Sequence, residues 1–225
     1  MVYHGDGITF LRAGGDYCVC FVDIVDSTRV TSSINNPEKA RKYYEIFLLT
    51  MAAISRNFGA TIIKNVGDCL ILCYPRTYDT SNKSAFNDVL DCCITMIEAR
   101  NTINQKLHKE GLPYLSYRIS ADYGIVEFDR SATSQNVFGP TMNMCSKINS
   151  KAPPNGVAIG DGLYKIIRSL SLLSSLEENC YHFEEIVTLE HEFNKYPLYS
   201  LQRNSPIASF REPDWQPSHI SAQYR

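Results

Sequence analysis

Hydrophobic positions along the chain alternate between two spacings. Tyr17 to Val25 (YCVCFVDIV) is a nearly unbroken run of β-branched, aromatic and cysteine residues, the composition of a buried central strand. Asp26-Ser27-Thr28 then reads as a turn. Asn36 before Pro37 marks a helix start, with a side-chain cap and proline at the first position. Tyr43, Phe47, Leu48, Met51 and Ile54 follow at helical spacing, and Gly59 stops the helix. Ala60–Asn65 and Leu70–Tyr74 read as two strands turned at Val66-Gly67-Asp68-Cys69, a hairpin. A polar connector leads to a second amphipathic helix over 84–109, ended by Gly111 and Pro113. Leu115–Ala121 and Ile125–Phe128 read as a second hairpin, turned at Tyr123-Gly124. Gly139-Pro140 opens a third helix reaching about Ser150, followed by a short strand Val157–Ile159 and a helix over 161–169. Two strands close the pattern near 180–187 and 196–202.

Paired strands separated by helices predict an α+β fold: a ferredoxin-like mixed, mainly antiparallel sheet with helices packed against it. Residues 1–15 read as a flexible leader, 16–203 as one domain and 204–225 as a polar tail.

Composition narrows the function classes. A net charge of -2 over 225 residues gives no basic surplus, which argues against a nucleic-acid-binding protein. No run approaches the ~20 apolar residues of a membrane helix, and no signal peptide opens the chain. The expectation is a soluble, cytoplasmic domain. The eight cysteines contain no C-x-x-C pair and sit among apolar neighbours, so they read as reduced core residues rather than a zinc site.

Two acids stand in apolar surroundings. Asp23 ends the first strand, and Asp68 sits at the hairpin tip. Taken singly, each is more easily explained as a turn or cap residue. Brought together, two carboxylates repel unless a cation lies between them, and Mg²⁺ favours carboxylates together with substrate phosphates.

The surrounding residues supply a context. CFVDIVDST at 20–28, KNVGDC at 64–69, RISADYG at 118–124 and VFGPTMNMCSKIN at 137–149 occur in this order. The set resembles the class III nucleotidyl cyclases, whose patterns are F-x-D-I-x-G-[FS]-T, K-x-x-G-D, R-I-G-I-H-x-G and G-x-x-V-N-x-A-x-R. The resemblance spans about residues 17–202 and makes 16–203 a cyclase catalytic domain. It implies that Asp23, Asp68 and the carbonyl of Ile24 hold two divalent metals, Mg²⁺ or Mn²⁺. It implies a triphosphate loop at Val25, Ser27 and Thr28, base readers at Lys64 and Asn136, a ribose-orienting Asn143 and a transition-state cation at Lys147. Asn143 and Lys147 are four apart on one helix face. Lys195 is the candidate for the family's late phosphate-binding lysine. The expected activity is conversion of ATP to cyclic AMP and pyrophosphate, by a homodimer whose sites lie at the interface.

Three departures bear on that expectation. Lys147 replaces an arginine and loses its planar fork. Asp26 replaces a loop glycine and puts a carboxylate beside the triphosphate. Asn136 replaces an aspartate, and its amide can present a donor or an acceptor. Two alternatives therefore stay open: a degenerate cyclase-homology domain that binds nucleotide or a partner without chemistry, and a cyclase preferring GTP or a pyrimidine triphosphate.

Overall fold

The computed structural model describes residues 4–5, 8–9, 14–129, 136–170, 181–191 and 194–203. The 204–225 tail and Cys180 lie outside them. Among the described residues ten strands and six α-helices follow one another: β1 His4–Gly5, β2 Ile8–Thr9, β3 Gly15–Ile24, α1 Ser27–Ser32, α2 Pro37–Asn57, β4 Thr61–Val66, β5 Cys69–Tyr74, α3 Lys83–Glu98, α4 Arg100–Lys109, β6 Tyr117–Asp129, β7 Asn136–Phe138, α5 Pro140–Lys151, β8 Val157–Gly160, α6 Asp161–Ser169, β9 Tyr181–His191 and β10 Asn194–Arg203. The main sheet runs β4-β5-β3-β6-β8-β10-β9, and β7 pairs with β6. Every neighbour is antiparallel except β6 and β8, which are parallel. This is the α+β fold with a mixed, mainly antiparallel sheet that the sequence predicts. Within the expected leader, His4–Gly5 pairs with Ile8–Thr9.

The two faces of the sheet are covered unequally. Cys18, Cys20, Val22 and Ile24 of β3 point to one face, where Phe47 and Met51 of α2, Phe86 and Leu90 of α3, Ile103 of α4 and Leu163 of α6 bury them in the main core. Tyr17 and Val19, alternate residues of the same strand, point to the other face, where β7 and α5 contribute Val137, Met142 and Cys145. Helix α5 continues onto Ala158 and Leu198 through Ile148 and Ala152. Phe21, Asp23 and Cys69 on that second face stay partly exposed.

Three local readings are corrected. The expected hairpin at Tyr123-Gly124 is one continuous strand, β6. Ten residue pairs with β3, from Gly15↔Val126 to Ile24↔Tyr117, hold it straight. Gly124 serves close packing instead of a turn: a Cβ there would lie 2.8 Å from Thr141 Oγ1 of α5. The expected helix 84–109 is two helices that meet at Ala99, the first capped by Asn82, whose side chain accepts from Ala85 N at 3.1 Å. The expected turn after β3 leads directly into α1. The helix start at Asn36 is as expected, its side chain accepting from the amides of Glu38 and Lys39.

Seven of the eight cysteines are described; all are free thiols, and all but Cys69 are buried. Among the described residues, no helix is long and apolar enough to cross a membrane.

Phe47 is fully buried and its ring centroid lies 5.3 Å from that of Tyr117, tying α2 to β6. Phe47→Ala is expected to cost about 3–5 kcal/mol, read as a lower urea midpoint at unchanged slope.

Candidate functional site

Sheet register places the two acids together. In β3, Asp23 is opposite Cys69 on one side and Arg118 on the other. Residues directly opposite in antiparallel strands share a face, so Cys69, Asp23 and Arg118 form one row across three strands. Asp68 precedes Cys69 in the two-residue turn that closes β4 and β5, where Gly67 takes φ +61°. A positive φ at that place is what primed hairpin turns need.

Electrostatics show the pairing of the acids. The Asp23 carboxyl is raised above its ordinary value, first by burial and then by the charge of Asp68. The Arg118 guanidinium acts the other way, but its Nε is 3.7 Å from Asp23 Oδ2 and does not cancel the other two. The Cys69 thiol is pushed up to about 12 by burial and by both acids. Nε of Arg118 is buried without a hydrogen-bond partner, an uncommon and costly state for a charged donor. Arg118 is the site residue that sequence reasoning overlooked. Its signal was a cation facing the metal-type acid across the sheet, which only register reveals.

Two clustered carboxylates and a guanidinium whose Nε lacks a hydrogen-bond partner form a hard-oxygen, phosphate-compatible set. Among the described residues no group of three or more His, Cys, Asp or Glu side chains converges. Two carboxylates therefore suit a cation whose remaining positions go to backbone carbonyls, water or phosphate, as with Mg²⁺.

The loop after β3 is specific in its chemistry. Asp26 adopts the left-handed conformation, φ 55° and ψ 32°, which glycine adopts freely and Asp tolerates better than most residues. Its carboxylate is turned to Arg29, 3.0 Å away. The Val25 amide donates to the carbonyl of Ser116 at 2.8 Å. Ser27 and Thr28 lie in the first turn of α1, where amides have no intrahelical acceptor. The side chain of Ile24 is buried in the core.

Lys64 sits on the edge strand opposite Ile71. A bulge between Ile62 and Lys64 shifts the register, so Lys64 shares the face of Ile71, the face that α5 covers. The backbone of Asn136 begins β7, opposite Asp129.

Asn143 and Lys147 project from α5 into a groove of about 1010 Å³, also lined by Phe138, Met144, Asp122 and Tyr196. Asp23, Asp68 and Lys64 do not line it. Asp122 lies four residues beyond Arg118 in β6, about 13 Å along the strand. One chain thus carries the paired acids and the α5 groove as two separate places.

Asp122 anchors the floor of the groove and is 1% exposed. Its Oδ1 accepts from the amides of Tyr123 (2.9 Å) and Leu163 (3.2 Å), and its Oδ2 from the Tyr196 hydroxyl (2.7 Å). Gly160 and Gly162 make room for it, since a Cβ at Gly160 would lie 2.5 Å from the carboxyl. Lys195, beside Tyr196 on β10, is exposed.

The family model of the adenylate and guanylate cyclase catalytic domain matches residues 12–189. The chain belongs to that family. Its fold is shared with solved cyclase domains. The adenylyl cyclase CyaB from P. aeruginosa is 18% identical with a TM-score of 0.69, covering 89% of this chain and 97% of its own. The guanylyl cyclase Cya2 is 18% identical with a TM-score of 0.70, covering 87% and 96%. The guanylate cyclase domain of RhGC from Catenaria anguillulae, solved with GTP, is 19% identical with a TM-score of 0.65, covering 84% and 97%. At such identities the likeness speaks for the fold alone. No curated protein sequence matches the chain.

Burial raises the Asp122 carboxyl from 3.8 to about 6 against the hydrogen bonds that lower it. The folded state therefore binds this proton more tightly than the unfolded chain. The associated stability is fully present below pH ~4 and is lost as pH rises through ~6, on the order of 3 kcal/mol. Urea melts of wild type and Asp122→Asn from pH 4 to 7 are expected to differ in slope over that window, with wild type losing more stability as pH rises.

Proposed function

We propose that this chain is an adenylyl cyclase domain that converts ATP to cyclic AMP and pyrophosphate as a homodimer. The observation that carries the reading is the division of the polar residues. The paired acids with Arg118 and the α5 groove with Asn143 and Lys147 lie apart in one chain, so a second copy completes each site. Phe138 at the groove and Val66 at the end of β4 are large apolar residues more than half exposed, suited to such a contact.

In this reading Asp23, Asp68 and the Ile24 carbonyl hold two divalent cations. When bound, those cations activate the ribose 3′-hydroxyl and neutralise phosphate charge. Arg118 places its guanidinium on the phosphates, with the amides of Ser27 and Thr28 beside it. Asp26 stays paired with Arg29, which keeps its charge turned from the triphosphate. From the partner copy, Asn143 orients the ribose and Lys147 neutralises charge that develops as the α-phosphate is attacked. Lys195 adds a cation to the leaving pyrophosphate. Lys64 donates to an adenine ring nitrogen, and the Asn136 carbonyl oxygen accepts from the 6-amino group; this pairing favours ATP over GTP.

Purified protein with each of the four nucleoside triphosphates and Mg²⁺ or Mn²⁺ is expected to form cyclic AMP from ATP, and Asp23→Ala to form none. A wild type that matches Asp23→Ala with every nucleotide leaves the degenerate domain as the reading. Product from GTP but not ATP overturns the assignment of Lys64. Asp23→Ala and Lys147→Ala proteins, each inactive, are expected to regain about a quarter of wild-type activity when mixed in equal amounts, because half the dimers then hold one intact site of two.

Lysine gives Lys147 a point charge without the bidentate fork. Lys147→Arg is expected to raise kcat several-fold with KM little changed, measured as initial cyclic AMP formation.

A further inference from the structure

Tyr196 is the side chain in the α5 groove whose hydrogen-bond capacity is most fully defined. Its hydroxyl donates to Asp122 Oδ2 at 2.7 Å and accepts from the Gly162 amide at 2.9 Å. The donor cannot be reversed while Asp122 is ionised, because a carboxylate only accepts. Asp122 is ionised above neutrality, its carboxyl lying at about 6. Its Oδ1 is occupied by the amides of Tyr123 and Leu163. The phenol oxygen therefore has its one proton committed and one acceptor position filled. One acceptor position remains, on a residue that lines the groove together with Asn143 and Lys147.

We propose that Tyr196 is a substrate-contacting residue of this cyclase site, an acceptor-only oxygen that takes a hydrogen bond from a donor on the nucleotide, with Asp122 as the residue that positions it. The proposal rests on the cyclase reading above. Besides the reacting 3′-hydroxyl, two donors on ATP have this chemistry: the 6-amino group of the base and the 2′-hydroxyl of the ribose. The contact discriminates by what it cannot do. An oxygen fixed as an acceptor repels a carbonyl at the same place, so a base contact would also disfavour guanine, whose position 6 is a carbonyl.

Asp122 acts through Tyr196, and the geometry says how. The two amides on Oδ1 would hold an asparagine there with its carbonyl oxygen toward them and its NH₂ toward Tyr196. That NH₂ donates to the phenol oxygen, and the tyrosine proton turns into the groove. Asp122→Asn thereby converts the contact from acceptor to donor without removing the ring.

The test compares wild type, Tyr196→Phe and Asp122→Asn on three substrates: ATP, the 6-deaminated purine riboside triphosphate and 2′-deoxy-ATP. Wild type is expected to lose roughly tenfold in kcat/KM on whichever analogue lacks the matched donor. Tyr196→Phe is expected to lose a similar factor on ATP and to show no further loss on that analogue. Asp122→Asn is expected to prefer that analogue to ATP. The analogue that carries the penalty identifies base or ribose as the source. A Tyr196→Phe enzyme that keeps both wild-type penalties, even with a lowered melting temperature, makes the tyrosine purely structural and overturns the proposal. A wild type that forms no cyclic product overturns the cyclase reading alone, because the same penalties are read from equilibrium binding of the three nucleotides.

Discussion

Two carboxylates held close at the end of a sheet set the terms for everything around them. The strand that carries Asp23 is fixed by ten ladder pairs to β6 and six to β5, and Asp68 by a two-residue turn that cannot lengthen without breaking that register. Neither can retreat, and burial with mutual repulsion holds the Asp23 proton above the ordinary carboxylate range. A protein that retains such a pair either protonates it or supplies positive charge. Arg118 supplies part of that charge at 3.7 Å, too far to satisfy its own buried Nε. The cluster is incomplete on both sides, with acids short of cations and a cation short of acceptors. A metal-bound triphosphate satisfies both at once, and this complementarity is why the cyclase reading accounts for the site better than a turn and a cap.

The unequal cover of the sheet follows from the same need for access. Four helices bury one face completely, while α5 and β7 cover only the β6 side of the other. The bare part is where the acids lie. Had α5 run on over Phe21 and Asp23, the pair would have been sealed under a helix with no room for substrate. Instead its Asn149 reaches the Phe21 carbonyl at a long 3.5 Å, and the helix ends at Lys151. Asn143 and Lys147 are thereby kept away from the acids of their own chain. The separation is a property of strand geometry, Asp122 lying four residues beyond Arg118 in β6, and the proposed homodimer accounts for it.

Much of this was legible in the residues. The β3 run, the Asn36-Pro37 cap and the Gly67-Asp68 hairpin are local signals, and each appears where its chemistry places it. Tyr123-Gly124 misled because a glycine between two apolar runs has the same pattern whether it turns the chain or admits a neighbouring helix. Only the Thr141 hydroxyl, 17 residues away in sequence, distinguishes the two. Arg118 was missed for a related reason: its importance lies in facing Asp23, and cross-strand pairing between residues 95 apart leaves no local trace. Asp26 was legible as an anomaly but not as a solution. Its left-handed backbone keeps the conformation that glycine would give, and Arg29, three residues on, takes up the charge that glycine would not have brought.

The same logic of replacement applies to Asp122, where the family pattern has histidine. A histidine could offer a proton from one nitrogen and a lone pair from the other, whereas an ionised aspartate can only accept. Three donors converge on it here, two of them backbone amides of β6 and α6 and the third the phenol of β10. The substitution thus requires partners that all give protons, and Gly160 and Gly162 leave the space that lets them approach. One buried carboxylate therefore joins three elements at the floor of the groove and fixes the direction in which Tyr196 can bond. That direction is a property of the whole arrangement: replacing the acid, the phenol or either glycine changes the hydrogen bonds at the floor of the groove.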